Sequence, residues 1–420
     1  MRQNGKVLML LVLLTLSLIS SLTITAVSHG LTCTTTINSE NGSNNAIQSA
    51  INSASPGATI CISSGVYPEQ LTITESLTLI GSGTATVIRP TSVTSTTTNP
   101  DNSNPEAPII LVTQATGVTI EDLEVDGSLA APSACGPTYI GIAYVGASGS
   151  VTGDSVINMH LQSGLYGCQS GLGILVQTPP SFTSTVSITN NVVSDYQKNG
   201  ITCNDSGSSC TISGNTVSMF TPAQPYIAPN GIQIALGAEG SVSGNTIDDN
   251  VCTLASYCGS NLVSQSQGTG ILVYDAGTSG VTISGNALNS NDIGIGIYLD
   301  KSGTVSPTSN TIDGGIYGLV LYDENETING NVFSNMPTGI DVVADTSGIT
   351  AIASGTDQFT SGVNVDCQET SVNGGIAICN ITSAVPAGVP EFGPSFILFA
   401  VILALGLVIH RRLSWHGLDK

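Results

Sequence analysis

The sequence predicts an all-β solenoid, in which the chain winds into stacked coils of short strands. Its repeating unit is Ser284-Gly285-Asn286-x-Leu288 followed by Gly296-Ile297-Tyr298-Leu299, and both halves recur along the chain. The repeated asparagines are 24, 30, 41, 24 and 21 residues apart, at Asn191, Asn215, Asn245, Asn286, Asn310 and Asn331. A period in the low twenties, with β-branched runs and Gly or Asn at the corners, is typical of a β-solenoid.

The apolar residues of the unit alternate with period two, as in Val281 and Ile283 and again in Ile295, Ile297 and Leu299. Helical repeats are excluded because they would need an apolar spacing of about 3.6 over a much longer run. One coil cannot bury its inward face alone, so the coils must stack around a core that follows the axis. The two longest steps therefore contain insertions.

The repeated asparagine is predicted to be structural rather than functional. Asn and Gly both tolerate positive φ at a corner. A side-chain amide repeated on every coil can also hydrogen-bond to its own copies along the stack.

Charge limits the partners of this 420-residue chain, which has 48 Gly, 9% charged residues and a formal net charge of −21. Five of its eight basic residues are near the two ends, so Arg89, Lys198 and Lys301 alone remain in the body. Phosphate contacts need clustered Lys or Arg, which excludes nucleic acid as a partner. The same excess of acidic residues disfavours binding to a polyanionic polysaccharide, unless metal ions bridge the protein and the polysaccharide.

The N-terminus carries the features of a secretory signal. Arg2 and Lys6 precede an apolar run over 7–18, and Ala26 and Ser28 follow at the spacing that a signal peptidase prefers. We expect a signal peptide at 1–28, with a retained transmembrane anchor as the alternative.

The ten cysteines of an exported chain are expected to form disulfides. Their local clustering suggests Cys33 with Cys61, Cys135 with Cys168, Cys203 with Cys210, Cys252 with Cys258, and Cys367 with Cys379. Spacing alone leaves that connectivity open, and a metal site is the alternative, although the chain has no Cys-x-x-Cys and its four histidines are scattered. Sequons predict glycosylation at Asn41, Asn204, Asn325 and Asn380.

The N-terminal coils resemble a known family. A short helix is expected where Ile47, Ala50, Ile51 and Ala54 follow helical spacing, with Ser43 or Asn44 as its cap and Pro56-Gly57 as its end. Such a helix would cover the open end of the solenoid.

The resemblance is carried by Ala46-Ile47-Gln48-x-Ala50-Ile51, Gly65-Val66-Tyr67-x-Glu69 and Leu77-Thr78-Leu79-Ile80-Gly81. These segments are similar to the opening of pectin-lyase-like right-handed β-helix proteins, including pectinesterases and NosD-type surface proteins. The resemblance implies a right-handed parallel β-helix of about ten coils over 29–385. It implies the fold and not an activity, because the downstream motifs of pectinesterases have no counterpart.

The C-terminus is predicted to be a membrane anchor. An apolar stretch over 396–409 is followed by Arg411-Arg412 and is just long enough to span a bilayer with the residues before it. Pro390-Glu391-Phe392-Gly393 lies in a linker at 386–394 and, with the apolar and basic segments of 395–420, resembles the PEF-type sorting tail handled by archaeosortases.

One array of side chains suggests a site. Counted from the Gly that opens each second-half strand, Asp275 is at +5, Asp300 at +4 and Asp323 at +5, so acids recur at one edge of the stack. The tyrosines of these strands, at +4, +2 and +4, have the parity opposite to the aliphatic core residues and should point outward: Tyr274, Tyr298 and Tyr322. Outward rings stack on sugar faces, and carboxylates accept hydroxyl protons or hold a cation such as Ca²⁺.

These observations predict an exported, monomeric β-helix that is tethered outside the cell and binds carbohydrate or neighbouring surface components through that array. The first alternative is a glycoside hydrolase or related enzyme that uses the stacked Asp275, Asp300 and Asp323, since such enzymes need two carboxylates. The second is a structural spacer or adhesin with no small ligand.

Overall fold

Three ranks of parallel strands run along the axis in the computed structural model, which describes residues 32–38, 45–219, 226–299 and 305–384. The predicted signal peptide, linker and tail fall outside these residues, as do Asn41 and Asp300. No helix within the described ranges is long and apolar enough to cross a membrane.

The first two ranks form a 22-stranded sheet, here the first sheet, and the third rank forms a 12-stranded second sheet. The first rank consists of β1 (Thr35–Ile37), β2 (Ala58–Ile62), β5 (Leu77–Ile80), β9 (Val118–Glu121), β12 (Gly149–Thr152), β15 (Ser184–Thr189), β18 (Ser208–Ser213), β21 (Glu239–Ser243), β24 (Val281–Ser284), β27 (Val305–Thr308), β30 (Asn325–Ser334), β32 (Thr350–Phe359) and β34 (Ile376–Ser383).

The second rank consists of β3 (Gly65–Tyr67), β6 (Thr86–Ile88), β10 (Glu124–Asp126), β13 (Ser155–Ile157), β16 (Val192–Ser194), β19 (Thr216–Ser218), β22 (Thr246–Asp248), β25 (Ala287–Asn289) and β28 (Thr311–Asp313), and it ends on β30. The second sheet consists of β4 (Leu71–Ile73), β8 (Pro105–Thr113), β11 (Thr138–Val145), β14 (Leu172–Gln177), β17 (Asn199–Asn204), β20 (Asn230–Ala235), β23 (Thr269–Tyr274), β26 (Ile293–Tyr298), β29 (Tyr317–Tyr322), β31 (Thr338–Ala344) and β33 (Val365–Ser371), with β7 (Thr97–Thr98) antiparallel to β8.

Each strand pairs with its equivalent in the next coil, so the predicted solenoid and its period-two alternation are confirmed. Ile232, Ile271 and Ile295 are in register in β20, β23 and β26, and all three are fully buried. Alternate residues of each strand enter one core that extends along the stack.

The glycine at the second position of seven strands of the second sheet is required by packing, and these strands are β14, β17, β20, β23, β26, β29 and β31. A β-carbon at Gly294 would lie 2.5 Å from the carbonyl oxygen of Gly318 in the next coil and 2.6 Å from Cγ2 of Ile312. Gly270 and Gly318 meet the same obstruction, at 2.7 and 2.6 Å from the following glycine's oxygen. Positive φ is instead the requirement at the other corner, where Gly285 has φ 64° and precedes the repeated Asn.

The asparagine ladder is confirmed as a structural feature. Asn245 is 1% exposed, and its Nδ2 donates to Oδ1 of Asn286 at 3.0 Å and to the carbonyl of Ile212 at 3.0 Å. The same Oδ1 of Asn286 also accepts the backbone N–H of Asn245 at 3.0 Å. This pattern links all six members in order: Asn191, Asn215, Asn245, Asn286, Asn310 and Asn331.

The capping helix α1 (Ala46–Ser53) is confirmed, but its expected cap is corrected. Its N-cap is Asn45, which has φ 75° and makes no side-chain capping bond, and Ser43 and Asn44 lie outside the described residues. The carboxylate of Glu69 caps the helix instead, accepting the N–H groups of Ile47 at 3.0 Å and Gln48 at 2.9 Å. The Glu69 carboxylate, which lies between β3 and β4, can cap the helix because the first N–H groups of a helix have no intrahelical acceptor.

The five cysteine pairs suggested by clustering are the disulfides of the structure: Cys33–Cys61, Cys135–Cys168, Cys203–Cys210, Cys252–Cys258 and Cys367–Cys379. Cys203 and Cys210 are buried in the core and join β17 to β18 across a corner. The bridge between Cys252 and Cys258 closes a turn within the insertion that explains the 41-residue step.

Candidate functional site

The outer face of the second sheet carries two clefts, each formed where an insertion lies against the sheet. Residues 99–104 precede β8 and cover the upstream part, and residues 260–264 follow the Cys252–Cys258 turn and flank the downstream part. One column of outward positions runs between them, in register through Gln233, Leu272, Gly296, Val320 and Asp341. Gly296 and Val320 are buried beneath neighbouring side chains, among them Tyr298, so the surface between the clefts is formed by those side chains.

The upstream cleft, here the amide cleft, has a volume of about 210 Å³. Eight of its thirteen lining residues are Asn or Gln. Three of them, Asn99, Asn102 and Asn104, come from the insertion. The other five come from the coils: Gln169, Gln177, Asn199, Asn204 and Gln233. Glu106 and Lys198 also line it, so the wall is mainly neutral but strongly polar.

The amides on the sheet side are held in place by one another. Nδ2 of Asn199 donates to Oε1 of Gln233 at 3.1 Å, and Nε2 of Gln233 donates to Oδ1 of Asn204 at 3.0 Å. Asn230, one coil on from Asn199, donates to Oδ1 of Asn199 at 2.9 Å. Their orientation is therefore set before any ligand arrives, which is how a preorganised polar site is built.

Glu106 is the carboxyl group inside the amide cleft. It is 2% exposed, and its Oε2 accepts a hydrogen bond from Nε2 of Gln177 at 2.5 Å. Burial, reinforced by the nearby Asp205 and partly offset by hydrogen bonds from Gln177 and Asn99, raises the pKa of Glu106 to about 7. A large part of this carboxyl is therefore protonated near neutral pH.

A pair of carboxyl groups near Glu106, those of Asp101 and Asp205, joins the 99–104 insertion to the coil. Asp205 follows β17 with φ 76°, and its Oδ2 accepts the N–H of Thr178 at 3.3 Å. Burial and a side-chain contact with Asp101, in the 99–104 insertion, raise the pKa of Asp205 to about 7. The Asp101 carboxyl therefore favours the protonated form of Asp205.

The one amine of the cleft is Lys198. Its Nζ donates to the carbonyl oxygen of Ala228 at 2.6 Å, and burial lowers its pKa to about 8. Arg89 is the other Lys or Arg of the described residues, and it forms a salt bridge outside the cleft, with its Nη1 3.3 Å from Oδ2 of Asp126.

The downstream cleft, here the tyrosine cleft, has a volume of about 440 Å³ and is lined by residues 260–264, Tyr317, Asp341, Gln368, Thr370 and Val372. Tyr317 fixes the insertion to the sheet by donating from its hydroxyl to the carbonyl of Ser260 at 2.7 Å. Asp341 is 1% exposed and accepts the Thr370 hydroxyl at 2.9 Å, and burial raises its pKa to about 6.

The structure places the three predicted tyrosines in one outward column. Tyr274, Tyr298 and Tyr322 are in register on consecutive coils, with parity opposite to the core. Tyr274 is 39% exposed, whereas Tyr298 and Tyr322 are half-buried and stack with ring centroids 5.5 Å apart. Tyr322 is also held by Asp345, whose Oδ2 accepts its hydroxyl at 2.5 Å.

The strand register corrects the predicted offset of Tyr298 from the glycine that opens its strand. Ile271 pairs with Ile295, so the opening glycine of that coil is Gly294 and not Gly296, and Tyr298 is at +4 like its neighbours. Gly296 is an outward position. A β-carbon there would lie 2.6 Å from Cε2 of Tyr298, so the tyrosine ring lies over this glycine on the face of the sheet.

Among the described residues, the expected row of acids is interrupted at one coil, and the reason is the same shift in register. The position after each strand is occupied by Asp275, then Leu299, then Asp323, all with φ between 50° and 58°. Asp recurs at this position because the left-handed region suits its short polar side chain.

Asp323 has a structural role that weakens it as a catalytic candidate. Its Oδ1 accepts the N–H groups of Asp345 at 2.8 Å and Thr346 at 3.2 Å, and its Oδ2 accepts the Thr346 hydroxyl at 2.7 Å. Among the described residues no three His, Cys, Asp or Glu side chains are grouped to hold a metal ion. A cation bound with Asp300 stays a prediction, because that residue is not described.

The sequons differ in their surroundings, and glycosylation stays a prediction. Asn325 and Asn380 are exposed, while Asn204 is half-buried and lines the amide cleft.

Sequence reasoning missed the amide cleft. The available signal was the presence of Asn199, Asn204, Asn230 and Gln233 on β17 and β20, two adjacent strands whose core residues are Ile201, Cys203, Ile232 and Ile234. Only the position of the 99–104 insertion against them, about 100 residues away in sequence, turns a polar strand face into a cleft.

Comparison with known proteins agrees with this architecture. Residues 226–354 match the family model described as a right handed beta helix region. The fold is accordingly a right-handed parallel β-helix. No curated protein matches the sequence of the chain.

Several solved structures are similar in fold. The native GH136 lacto-N-biosidase from Eubacterium ramulus has a TM-score of 0.51 and 11% identity, over 83% of this chain and 67% of that one. Its selenomethionine derivative has 12% identity and a TM-score of 0.49, and this chain spans 62% of it. The periplasmic alginate epimerase AlgG has a TM-score of 0.47 and 13% identity, over 79% of each chain. At such identities the likeness extends to the fold alone.

Proposed function

We propose that this protein binds an extended carbohydrate chain along the outer face of the second sheet. The observation that carries the proposal is the outward column that joins the amide cleft, at Gln233, to the tyrosine cleft, at Asp341, through consecutive coils. Those positions span four coil steps of about 4.8 Å, or roughly 20 Å along the axis. A linear polymer fits such a face better than a compact ligand does.

The chemistry of the face suits sugars. Amide and carboxyl groups exchange hydrogen bonds with hydroxyls, and the rings of Tyr274, Tyr298 and Tyr322 offer flat apolar surface between the clefts. Because Tyr298 and Tyr322 stack on each other, Tyr274 is the ring most available to a ligand. The acidic balance of the chain favours a neutral polymer or one bridged by cations.

Retention on immobilised polysaccharides tests the proposal, with release of reducing ends scored separately. The wild type should be retained by at least one polysaccharide, and Tyr274→Ala should weaken retention severalfold. Phe182→Ala is the matched control, because Phe182 is an exposed ring, 52% accessible, in the loop between β14 and β15, and it lines neither cleft. If no polysaccharide retains the protein, the proposal is wrong and the spacer or adhesin alternative is favoured.

Hydrolysis of the bound chain is the second candidate function, and Glu106 is the observation that favours it. A carboxyl group inside a cleft with a pKa of about 7 is still partly protonated near neutral pH, which a general acid requires. In that case wild type would release reducing ends, and Glu106→Gln would abolish release while retention persists. Retention without release assigns binding alone.

We also propose that the protein acts outside the cell as a membrane-anchored monomer, with the segment 395–420 as its anchor. The apolar run and Arg411-Arg412 support this. Truncation before residue 386 should convert a membrane-bound protein into a soluble one. Equal partitioning of the two forms would contradict the anchor.

A further inference from the structure

We infer that the amide cleft is a binding site for uncharged sugar units and that it rejects uronates. This inference rests on the proposed function and adds the ligand class and the position. It follows from the composition of the wall, from the hydrogen bonds that orient it, and from the charges around it.

The wall offers paired donors and acceptors at fixed positions. Each amide carries both a carbonyl oxygen and an NH₂ group, so it can accept from one hydroxyl of a sugar and donate to its neighbour. On the sheet side Asn199, Gln233 and Asn204 are joined in a chain of hydrogen bonds of 3.1 and 3.0 Å. On the opposite side Nδ2 of Asn99 donates to Oε1 of Gln177 at 3.3 Å, which ties the insertion across the cleft.

The size of the cleft suits a small part of a polymer. A volume of about 210 Å³ is below the range of roughly 300 to 1,000 Å³ found for pockets that enclose drug-sized ligands. The rest of a bound chain would continue over the column that leads from Gln233 toward the tyrosines.

The charges oppose an incoming carboxylate. Glu106 lies in the wall, Asp205 is close enough to raise its pKa, and Asp101 contacts Asp205, so one carboxyl group lines the position that a uronate would occupy and two more lie behind it. The single amine of the wall, on Lys198, donates one hydrogen bond to the carbonyl of Ala228, and burial lowers its pKa to about 8, so at pH 8 about half of it is neutral and cannot pair with a carboxylate. Desolvating an unpaired carboxylate next to other carboxylates is costly, whereas hydroxyl groups find partners on every side.

The test measures binding of defined oligosaccharides to the purified full-length protein by calorimetry at pH 8, where most Glu106 and Asp205 carboxyls are ionised. The probes are hexamers of glucose, galactose and mannose, each paired with the hexamer of the corresponding uronic acid. We expect at least one neutral hexamer to bind, and its uronic acid counterpart to bind about tenfold more weakly or not at all. Gln233→Ala removes one oriented amide and should weaken binding of the neutral hexamer by about tenfold.

Asn289→Ala is the matched control for Gln233→Ala. Asn289 is a half-buried outward amide on β25 of the first sheet, and its Nδ2 donates to Oδ1 of Asp248 at 2.7 Å. The Asn289→Ala variant should bind the neutral hexamer with wild-type affinity. Thermal melting of both variants checks that each is folded.

Two results would overturn the inference and leave the proposed function standing. One is a uronic acid hexamer that binds as tightly as its neutral counterpart. The other is a folded Gln233→Ala variant with wild-type affinity, which would move the site away from the amide cleft. If no hexamer of either kind binds and no polysaccharide retains the protein, both proposals fail together.

Discussion

The backbone N–H of Asp154 donates to Oδ1 of Asn191 at 2.9 Å, so Asp154 occupies the ladder position one coil before the first asparagine. Its Oδ1 accepts the N–H of Leu123 at 2.9 Å, as a ladder amide oxygen would. Its Oδ2 stands where each asparagine has its donor Nδ2, and it meets no donor among the described residues. Asp154 therefore matches the ladder only when its carboxyl is protonated and can donate.

We expect the stability of the protein to decrease as the pH rises from about 4 to about 8. Burial, with repulsion from Asp122 and Glu121, raises the pKa of Asp154 to about 8, above its ordinary value of 3.8. Between these values the folded state holds a proton that the unfolded state has lost. The free energy of unfolding is then largest below about pH 4 and levels off above pH 8. Urea denaturation across this pH range measures the effect.

Asp154→Asn should remove much of that pH dependence. It should also raise the free energy of unfolding at pH 8 by more than about 1 kcal/mol, which is the energy equivalent of a difference of roughly one in pKa. An asparagine can donate from Nδ2 at every pH, as the next member of the ladder does. Asp366→Asn, which alters an exposed carboxyl, is the control and should keep the wild-type pH profile. A parallel pH profile for Asp154→Asn would contradict this role.

Replacing a central ladder residue should be costly. Asn245→Ala removes the acceptor of both the N–H and the Nδ2 of Asn215, which are buried, so the free energy of unfolding should drop by about 2 to 4 kcal/mol. Asn364→Ala, at an exposed amide, should change it by less than about 0.5 kcal/mol. Equal stability of the two variants in urea would show that the ladder is dispensable.

Gly294 should not tolerate a β-carbon. Gly294→Ala would force the methyl group against the Gly318 oxygen and Ile312, at a cost of about 1 to 3 kcal/mol. Gly65→Ala is the control, because its β-carbon would meet Tyr67 at an ordinary 3.5 Å. Thermal melting compares the two, and an unchanged melting temperature for Gly294→Ala would contradict the packing explanation.

The repeat explains how much of the fold the sequence could predict. The spacing of Asn191 to Asn331 equals the coil lengths, because one hydrogen-bonding position per coil must be filled by the same side chain. The row of acids could not be predicted in the same way. Gly294 and Gly296 both precede an isoleucine, and only pairing with β23 shows which one opens the strand. The cap at Glu69 and the amide cleft depend on contacts between distant segments, which periodicity does not encode.

The cap at Glu69 should contribute to the stability of the N-terminal end. Glu69→Ala leaves the N–H groups of Ile47 and Gln48 without their acceptor, so we expect a loss of about 1 to 2 kcal/mol. Glu75→Ala, at an exposed carboxylate, should be close to neutral. Hydrogen exchange should localise the loss to α1, and uniform protection in both variants would argue against the cap.

Hydrogen exchange in the presence of a retained oligosaccharide tests most directly whether the outer face of the second sheet is the carbohydrate site. We expect increased protection in β17, β20 and β29 and in the 99–104 and 260–264 insertions, with no change in β15 and β18 of the first sheet. Protection confined to the first sheet, or spread evenly over all three ranks, would contradict the account.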